Sequence, residues 1–427
     1  MPDKYILGNC IITDGFSFLH KNGAIEIENG MIQNIFSGDE LPGSDSVFID
    51  LEGRLVLPGL LNPHHHLYSA LAVGISPRGP TNHFKKILEN LWWPLDKSLD
   101  LDTIYYSAFY GLMESVAHGV TSVFDHHASM DCIGGSLDII EKAVRESGVK
   151  GLLCFEMSDR NGKRSLPKQL DENLQFWENH RYDQSVRGVL GMHANFTLSK
   201  ESLAYIKENK PQNLPVHIHC GEDYIDLQYC IDQGFEGPVD RLQKYGLLSG
   251  GALLAHCIHM SPTDYALIRE YHPVVISNPE SNANNGVGFM DLSHISRYAL
   301  GTDGMTGNLL GTLRSHFLQR GQAIDQPLDV LFKYPAEVLE RYFQDSGRLT
   351  VNKSADLAVT NYIPVTDISL ENLPYHLIFG VEGQKMFMTI ARGEILYRDG
   401  QFTRFQATEM LAEIRTAARR LHGKFYA

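Results

Sequence analysis

Leu57-Pro58-Gly59-Leu60-Leu61-Asn62-Pro63-His64-His65-His66 is the stretch whose reading decides the fold. An apolar, strand-prone segment, Leu55 to Leu61, runs directly into these imidazoles. Residues two apart in an extended chain point to the same side. His64 and His66 would therefore present both rings together at the end of one strand, where two imidazoles can grip one metal ion. A solvated histidine-rich turn would read the same way, so the test is whether the rest of the chain supplies the missing ligands.

Working outward, apolar and β-branched runs recur at Leu55–Leu61, Val120–Asp125, Lys150–Met157, Val186–His193, Leu214–His219, Gly251–His256, Pro273–Ser277 and Arg297–Gly301. Helical patterns lie between them; Leu137, Ile140 and Val144 share one face of Ser136–Ser147, and Ser199 and the Pro262-Thr263-Asp264 run read as helix starts. Eight strand–helix units in sequence predict an α/β protein built on a parallel (β/α)8 barrel rather than an open doubly wound sheet. No G-x-G-x-x-G follows the first strand, so a dinucleotide fold is unsupported. The segment from Gly74 to Asp100, with Pro77, Pro80, Trp92-Trp93 and Pro94, is long for a compact domain. Such loops are usually functional, and this one is expected over the active end, with Trp92 a candidate pocket residue.

Both ends of the chain read differently, as short strands and turns. Asp14-Gly15, Asn29-Gly30 and Pro42-Gly43 punctuate the first 55 residues, and Asn-Gly between two short strands is a hairpin signal. After residue 347 short strands return at Arg348–Val351, Ala355–Thr360, Gln384–Ala391 and Glu394–Tyr397. The expected organisation is therefore residues 1–55 as the first part of a small composite β-sandwich, 56–346 as the catalytic barrel, and 347–427 as the rest of the sandwich plus a terminal helix. That helix, Thr408 to Lys424, places Leu411, Ile414, Ala418 and Leu421 on one stripe.

Composition narrows the partners. With 51 acidic against 37 basic side chains the formal net charge is -14, which repels phosphate backbones and anionic lipid. Neither nucleic acid nor a membrane is expected as a partner; a small-molecule substrate is, with homodimerisation left open. Six cysteines without a Cys-x-x-Cys pair, several of them inside apolar runs, read as reduced core thiols. Met1 to Gly15 has no basic region followed by an apolar stretch, so a cytoplasmic location is expected.

In such barrels the chemistry sits at the C-terminal strand ends. Those ends give His64 and His66, Asp125-His126-His127, Glu156, His193, His219 with Glu222, His256 with His259, Asn278, and Asp303. His217 shares the inward face of His219 one layer deeper, the place of a hydrogen-bonded supporting histidine.

These residues resemble the amidohydrolase superfamily, in its aminohydrolase (deaminase) branch that includes guanine deaminase and the atrazine and triazine hydrolases. Nearly the whole chain takes part. The Pro58 to His66 run looks like that family's first-strand motif, His219-Cys220-Gly221-Glu222 its His-x-x-Glu motif, Leu254 to His259 its sixth-strand segment, and Thr302-Asp303-Gly304 its eighth-strand ligand. Leu91 to Lys97, Phe124 to Ser129, Asn278 to Asn282 and His376 to Gly380 resemble the SsnA-like aminohydrolases within that branch. The resemblance implies a divalent metal ion held by His64, His66, His219 and Asp303, with zinc favoured and iron or manganese as alternatives. It also implies Glu222 as proton shuttle, His256 contacting the nucleophilic water, and Asp303 accepting a proton. His193, Trp92, His127 and Glu280 are candidate substrate contacts. Ser277 stands where many of these deaminases carry a histidine, and no lysine ends the fourth strand, which argues for one metal ion rather than two. The implied reaction is hydrolytic deamination of a small nitrogen-rich heterocycle by a metal-activated water. Alternatives are a ring-opening amidase or a dechlorinating hydrolase on the same site, or a barrel-fold binding protein without catalysis.

Overall fold

The computed structural model describes residues 4–38, 46–320 and 327–427; the Pro42-Gly43 turn lies outside them. Within the described residues the eight expected strand regions all form, as Leu60–His65, Val120–His127, Lys150–Phe155, Leu190–Ala194 preceded by Val186–Gly188, Val216–Cys220, Leu253–His256, Val274–Ser277 and Ala299–Leu300. Neighbours pair in parallel throughout. The fourth strand is interrupted at Val189, and its two halves pair with opposite neighbours, the seam being bridged by Met157 and Met192. The first and eighth strands close the ring through a bridge between His65 and Asp303. There the N–H groups of Thr302 and Asp303 both donate to the carbonyl of His64, at 3.1 and 3.0 Å. Closure of the barrel and placement of two candidate ligands are thus the same contact.

Gly301 makes that contact sterically feasible. A Cβ there would lie 2.5 Å from Asn278 Oδ1 and 3.0 Å from the His64 carbonyl oxygen. One layer nearer the strand N-termini, Phe124, Leu152, Cys154, Leu253 and Ile276 pack with Phe343 into an apolar cluster beneath the site. Burial of such side chains contributes roughly 1.5–3 kcal/mol each, so the floor under the site is stiff.

The segment read as one strand, Leu55–Leu61, is two strands. Leu55–Pro58 belongs to a nine-stranded mixed sheet from both chain ends, and Leu60–His65 to the barrel. Gly59 is the switch; a Cβ on it would sit 2.4 Å from Thr121 Oγ1 and 3.0 Å from the Asp356 backbone. Leu55–Pro58 pairs antiparallel with Leu357–Val359 and parallel with Lys4–Thr13, which knits the termini together. We propose Gly59, rather than residue 55, as the boundary of the first unit. Side chains from both arms of the sheet, Leu7, Ile25 and Val56 with Leu357, Met388 and Ile390, share one core. Arg348–Val351 forms no strand; the adjoining Asn352 and Lys353 instead exchange backbone hydrogen bonds with Ile32.

The long segment after the first barrel strand is a lid of short helical turns, Phe84–Ile87, Leu88–Trp92 and Trp93–Ser98. The helix Leu101–Ala117 then starts in a capping box between Asp100 and Thr103. The terminal helix runs from Ala407 to Tyr426 and buries Ile414, Ala417, Leu421 and Phe425. Ala417 joins the expected stripe, with Leu411 and Ala418 partly buried against the same core. It braces the lid: Phe425 lies under the Arg78 guanidinium, and His422 Nε2 sits 2.8 Å from the Leu71 carbonyl. No helix among the described residues is long and apolar enough to cross a membrane.

Candidate metal centre and pocket

His64, His66, His219 and Asp303 bring one ligand atom each to within 4.8 Å of one another, all four side chains buried. Asp303 Oδ1 lies 3.3 Å from His64 Nε2 and 2.8 Å from His66 Nε2. The supporting bonds decide which ring nitrogens are free. His66 Nδ1 meets the carbonyl of His126, and His219 Nδ1 meets that of His193. A carbonyl only accepts, so both Nδ1 atoms carry a proton and the two Nε2 atoms are the ones turned to the site. Those nitrogens face each other across 3.0 Å. His64 Nδ1 is 2.9 Å from His217 Nε2, and His64 Nε2 is buried without a hydrogen-bond partner. Three imidazole nitrogens and a carboxylate turned to one point call for a cation between them, a proton or a metal ion. The donor set fits a divalent ion, with two imidazoles oriented by carbonyls and one by His217.

Electrostatics divide the three rings: against burial, Asp303 holds His66 up at about 9, so His66 must give up its Nε2 proton to bind an ion. Burial pushes His64 down to about 3 and His219 well below the usual range, so both rings are neutral and ligand-ready. Burial works against ionising Asp303, but His64 and His66 hold its carboxyl well below the ordinary carboxylate range. Asp303 itself sits at φ 54°, and His256 and Cys257 at 74° and 51°. Non-glycine residues in this region store strain that surrounding structure must hold, and they cluster at working sites.

Around this point the remaining groups fall into place. Asp303 Oδ2 accepts from Ser281 Oγ and lies 3.8 Å from His256 Nε2. His256 is oriented through Nδ1 by Asn282 Oδ1 at 2.7 Å, and its Nε2 is 3.6 Å from Glu222 Oε2. Asn285 Nδ2 donates to Glu222 Oε1 at 3.1 Å. Burial, aided by the charge of Asp303, pushes Glu222 up to about 7 although His256 opposes it. A carboxyl that titrates near neutrality can both give and take a proton.

The pocket over these groups is lined by Tyr68, Phe84, Leu88, Trp92, Trp93, Glu156, His193, Glu222, Asn284, Asn285 and Met305, together with His66, His219 and Asp303. Among the candidate contacts, His193 and Trp92 line it. His127 and Glu280 do not, which corrects both assignments. His127 is fully buried behind the strand, its Nε2 2.9 Å from Ser129 Oγ, while its neighbour His126 takes the inward position of the alternating strand. Glu280 faces the helix Leu309–Arg320 and accepts from Thr312 and Ser315.

Glu156, a strand-end residue in the sequence, acquires partners that sequence reasoning did not single out. Arg160 Nη1 and Nη2 each lie 2.6 Å from a carboxylate, that of Asp96 on the lid and that of Glu156 at the end of the third strand. All three are buried, and Arg160 also stacks 5.3 Å from the Trp93 ring. Burial raises Asp96 to about 6, with Glu156 adding to the rise and Arg160 opposing it. Glu156 goes the other way: despite burial, His193, His126 and Arg160 hold it down at about 2. Ser281, Asn282 and Asn285 come from the short helix Pro279–Asn285 after strand seven. The Asn278-Pro279 pair was the one sequence signal for that helix.

A family model described as "Amidohydrolase family" matches residues 55–396. A 5-methylthioadenosine/S-adenosylhomocysteine deaminase of Thermotoga maritima is 27% identical over 431 residues, covering 98% of this chain and 99% of that protein. A 5'-deoxyadenosine deaminase of Methanothrix thermoacetophila is 28% identical over 402 residues, covering 90% and 91%. Among solved structures, an adenosine deaminase from Xanthomonas campestris with bound zinc superposes with a TM-score of 0.86 at 18% identity, covering 98% of each chain.

Proposed function

The chain belongs to the amidohydrolase family of metal-dependent hydrolases, and from that premise we propose that it deaminates a small nitrogen-rich heterocycle. The observation that carries this reading is the pair of Nε2 atoms of His66 and His219 facing each other at 3.0 Å beside Asp303. That arrangement asks for a cation. His64, His66, His219 and Asp303 would hold it, and three imidazoles with one carboxylate favour zinc. Such an ion lowers the pKa of a water toward about 7 and supplies the nucleophile.

The chain's own residues do the rest. Asp303, kept ionised, takes up the proton that the attacking water loses. His256, held by Asn282, orients that water through Nε2. Glu222, protonated near neutrality, gives its proton to the ring nitrogen next to the carbon under attack and is reset by taking the remaining hydroxyl proton as the carbonyl forms, while Asp303 passes the proton it took to the departing amino group, which leaves as ammonia. Positioned proton transfer of this kind contributes about 10²- to 10⁴-fold. Trp92 and Phe84 offer flat apolar walls for a planar ring, and His193 a polar contact.

The two relatives above are both named deaminases, which supports ammonia release over ring opening or dechlorination. The six cysteines, all free, fit a reducing compartment, and we place the protein in the cytoplasm on that ground. The test is an ammonia-release screen over amino-purines, their nucleosides, pteridines and triazines, with metal content measured on the same sample. Ammonia from one of these classes, dependent on the ion, is expected. Release of chloride or ring-opened product without ammonia would overturn the reading.

A further inference from the structure

We propose that Glu156 determines specificity in this pocket: its clamped carboxylate, beside the ligand histidines, accepts from N–H groups of the substrate, selecting an uncharged or cationic amino-heterocycle over a phosphorylated or carboxylated one. The inference rests on the proposed deamination for the identity of the site, and it adds the class of substrate.

Glu156 lies at the end of the third strand, only 2% exposed, yet it lines the pocket. Its backbone N–H is fixed to the His127 carbonyl at 2.8 Å. Oε1 is taken by Arg160 at 2.6 Å. Oε2 lies 3.3 Å from His126 Nδ1, but that nitrogen is in no hydrogen bond. The other nitrogen of His126, Nε2, is bound to the carbonyl of His217 at 3.1 Å and therefore carries the proton. Each carboxylate oxygen thus has one close protein neighbour, Arg160 at Oε1 and His126 at Oε2, and keeps lone pairs for a donor in the pocket it lines. A substrate amino group or ring N–H can supply that donor.

Arg160 keeps this carboxylate in place and does not itself enter the pocket. It is pinned between Glu156 and Asp96, and Ser158 Oγ accepts from its Nε at 3.0 Å. Arg160 is therefore a positioning residue. Among the described residues that line the pocket there is no lysine or arginine, whereas Glu156, Glu222 and Asp303 are all carboxylic acids. A phosphate or carboxylate on the ligand would enter with no cationic side chain to meet it, and burying an unpaired charge is among the largest penalties in recognition.

The test uses equilibrium binding, so that it stands even if no ammonia is released. Calorimetry on the zinc-loaded full chain would measure adenine, adenosine, melamine and adenosine 5'-monophosphate, against wild type and Glu156→Gln (or Glu156→Asp if the first does not fold). At least one amino-heterocycle should bind, the 5'-phosphate should weaken adenosine binding at least about tenfold, and the variant should weaken the bound heterocycle about 10- to 100-fold with metal content unchanged. Binding of none of the uncharged probes, equal or tighter binding of the phosphate, or an affinity untouched by the variant would each overturn the proposal. Absence of ammonia in the turnover screen, with these binding differences intact, would count against deamination alone.

Discussion

His66 and His219 meet through their Nε2 atoms at 3.0 Å, each ring locked from behind by a backbone carbonyl of the neighbouring strand, that of His126 or His193. Neither ring can turn away without giving up a buried hydrogen bond. The site is therefore pre-organised by the barrel itself, and its consequences can be measured one residue at a time.

Glu222 carries the mobile proton in this account. Glu222→Gln keeps the shape and the contact with Asn285 but cannot cycle a proton. Turnover of a verified substrate should fall about 10²- to 10⁴-fold, with metal content unchanged. Activity within a few-fold of wild type would show that another group moves the proton.

The pH dependence follows from the same residue. Burial raises Glu222 to about 7, and the protonated carboxyl is the working form. Activity present below that value should therefore decline as pH rises through it. A kcat/KM profile of the metal-loaded protein should carry a basic limb that Glu222→Gln removes. A profile flat from pH 6 to about 9 would contradict the assignment.

Arg160 bridges two buried carboxylates, Asp96 on the lid and Glu156 in the pocket wall. Replacing it by methionine keeps the bulk and leaves both acids facing each other. Breaking a buried ion pair from one side typically costs about 3–5 kcal/mol. Arg160→Met should accordingly lower the thermal midpoint by several degrees, and adding Asp96→Asn should recover part of the loss. An unchanged midpoint would mean that the pair is solvated in solution.

Gly301 lies where the eighth strand presses on the first. A Cβ there would come within 2.5 Å of Asn278 Oδ1 and 3.0 Å of the His64 carbonyl oxygen. Gly301→Ala should cost about 1–3 kcal/mol and, by displacing His64, weaken metal retention on dialysis more than a distant substitution of equal destabilisation. Equal retention in both proteins would separate barrel closure from ligand placement.

Much of this arrangement could be read without coordinates, because barrel strands and histidine spacing are local properties. His64 and His66 reveal themselves by their spacing, and His219 and Asp303 by their position at strand ends. Parity within Val120–His127 could not be read: all eight residues of that strand are buried. With helices over the outer face and side chains filling the inner one, no polar alternation is left to tell His126 from His127. Glu280 failed for a related reason, since a polar residue on a short helix can face the pocket or the next helix at the same spacing. The Asp96–Arg160–Glu156 clamp depends on a lid folding back over the third strand, a contact between distant segments that no local pattern encodes. Gly59 looked like the interior of one strand because both strands it separates are apolar.

Anomalous diffraction at the zinc edge, on crystals of the zinc-loaded protein, tests the central claim most directly, because three overlapping clusters among the described residues could hold the ion: His64, His66, His219 and Asp303; His66, His126, Glu156 and His219; or Glu222, His256 and Asp303. The account predicts one strong peak bonded to His64, His66, His219 and Asp303. A peak on His126 and Glu156 or on Glu222 and His256 instead, or no peak among these residues, would contradict it.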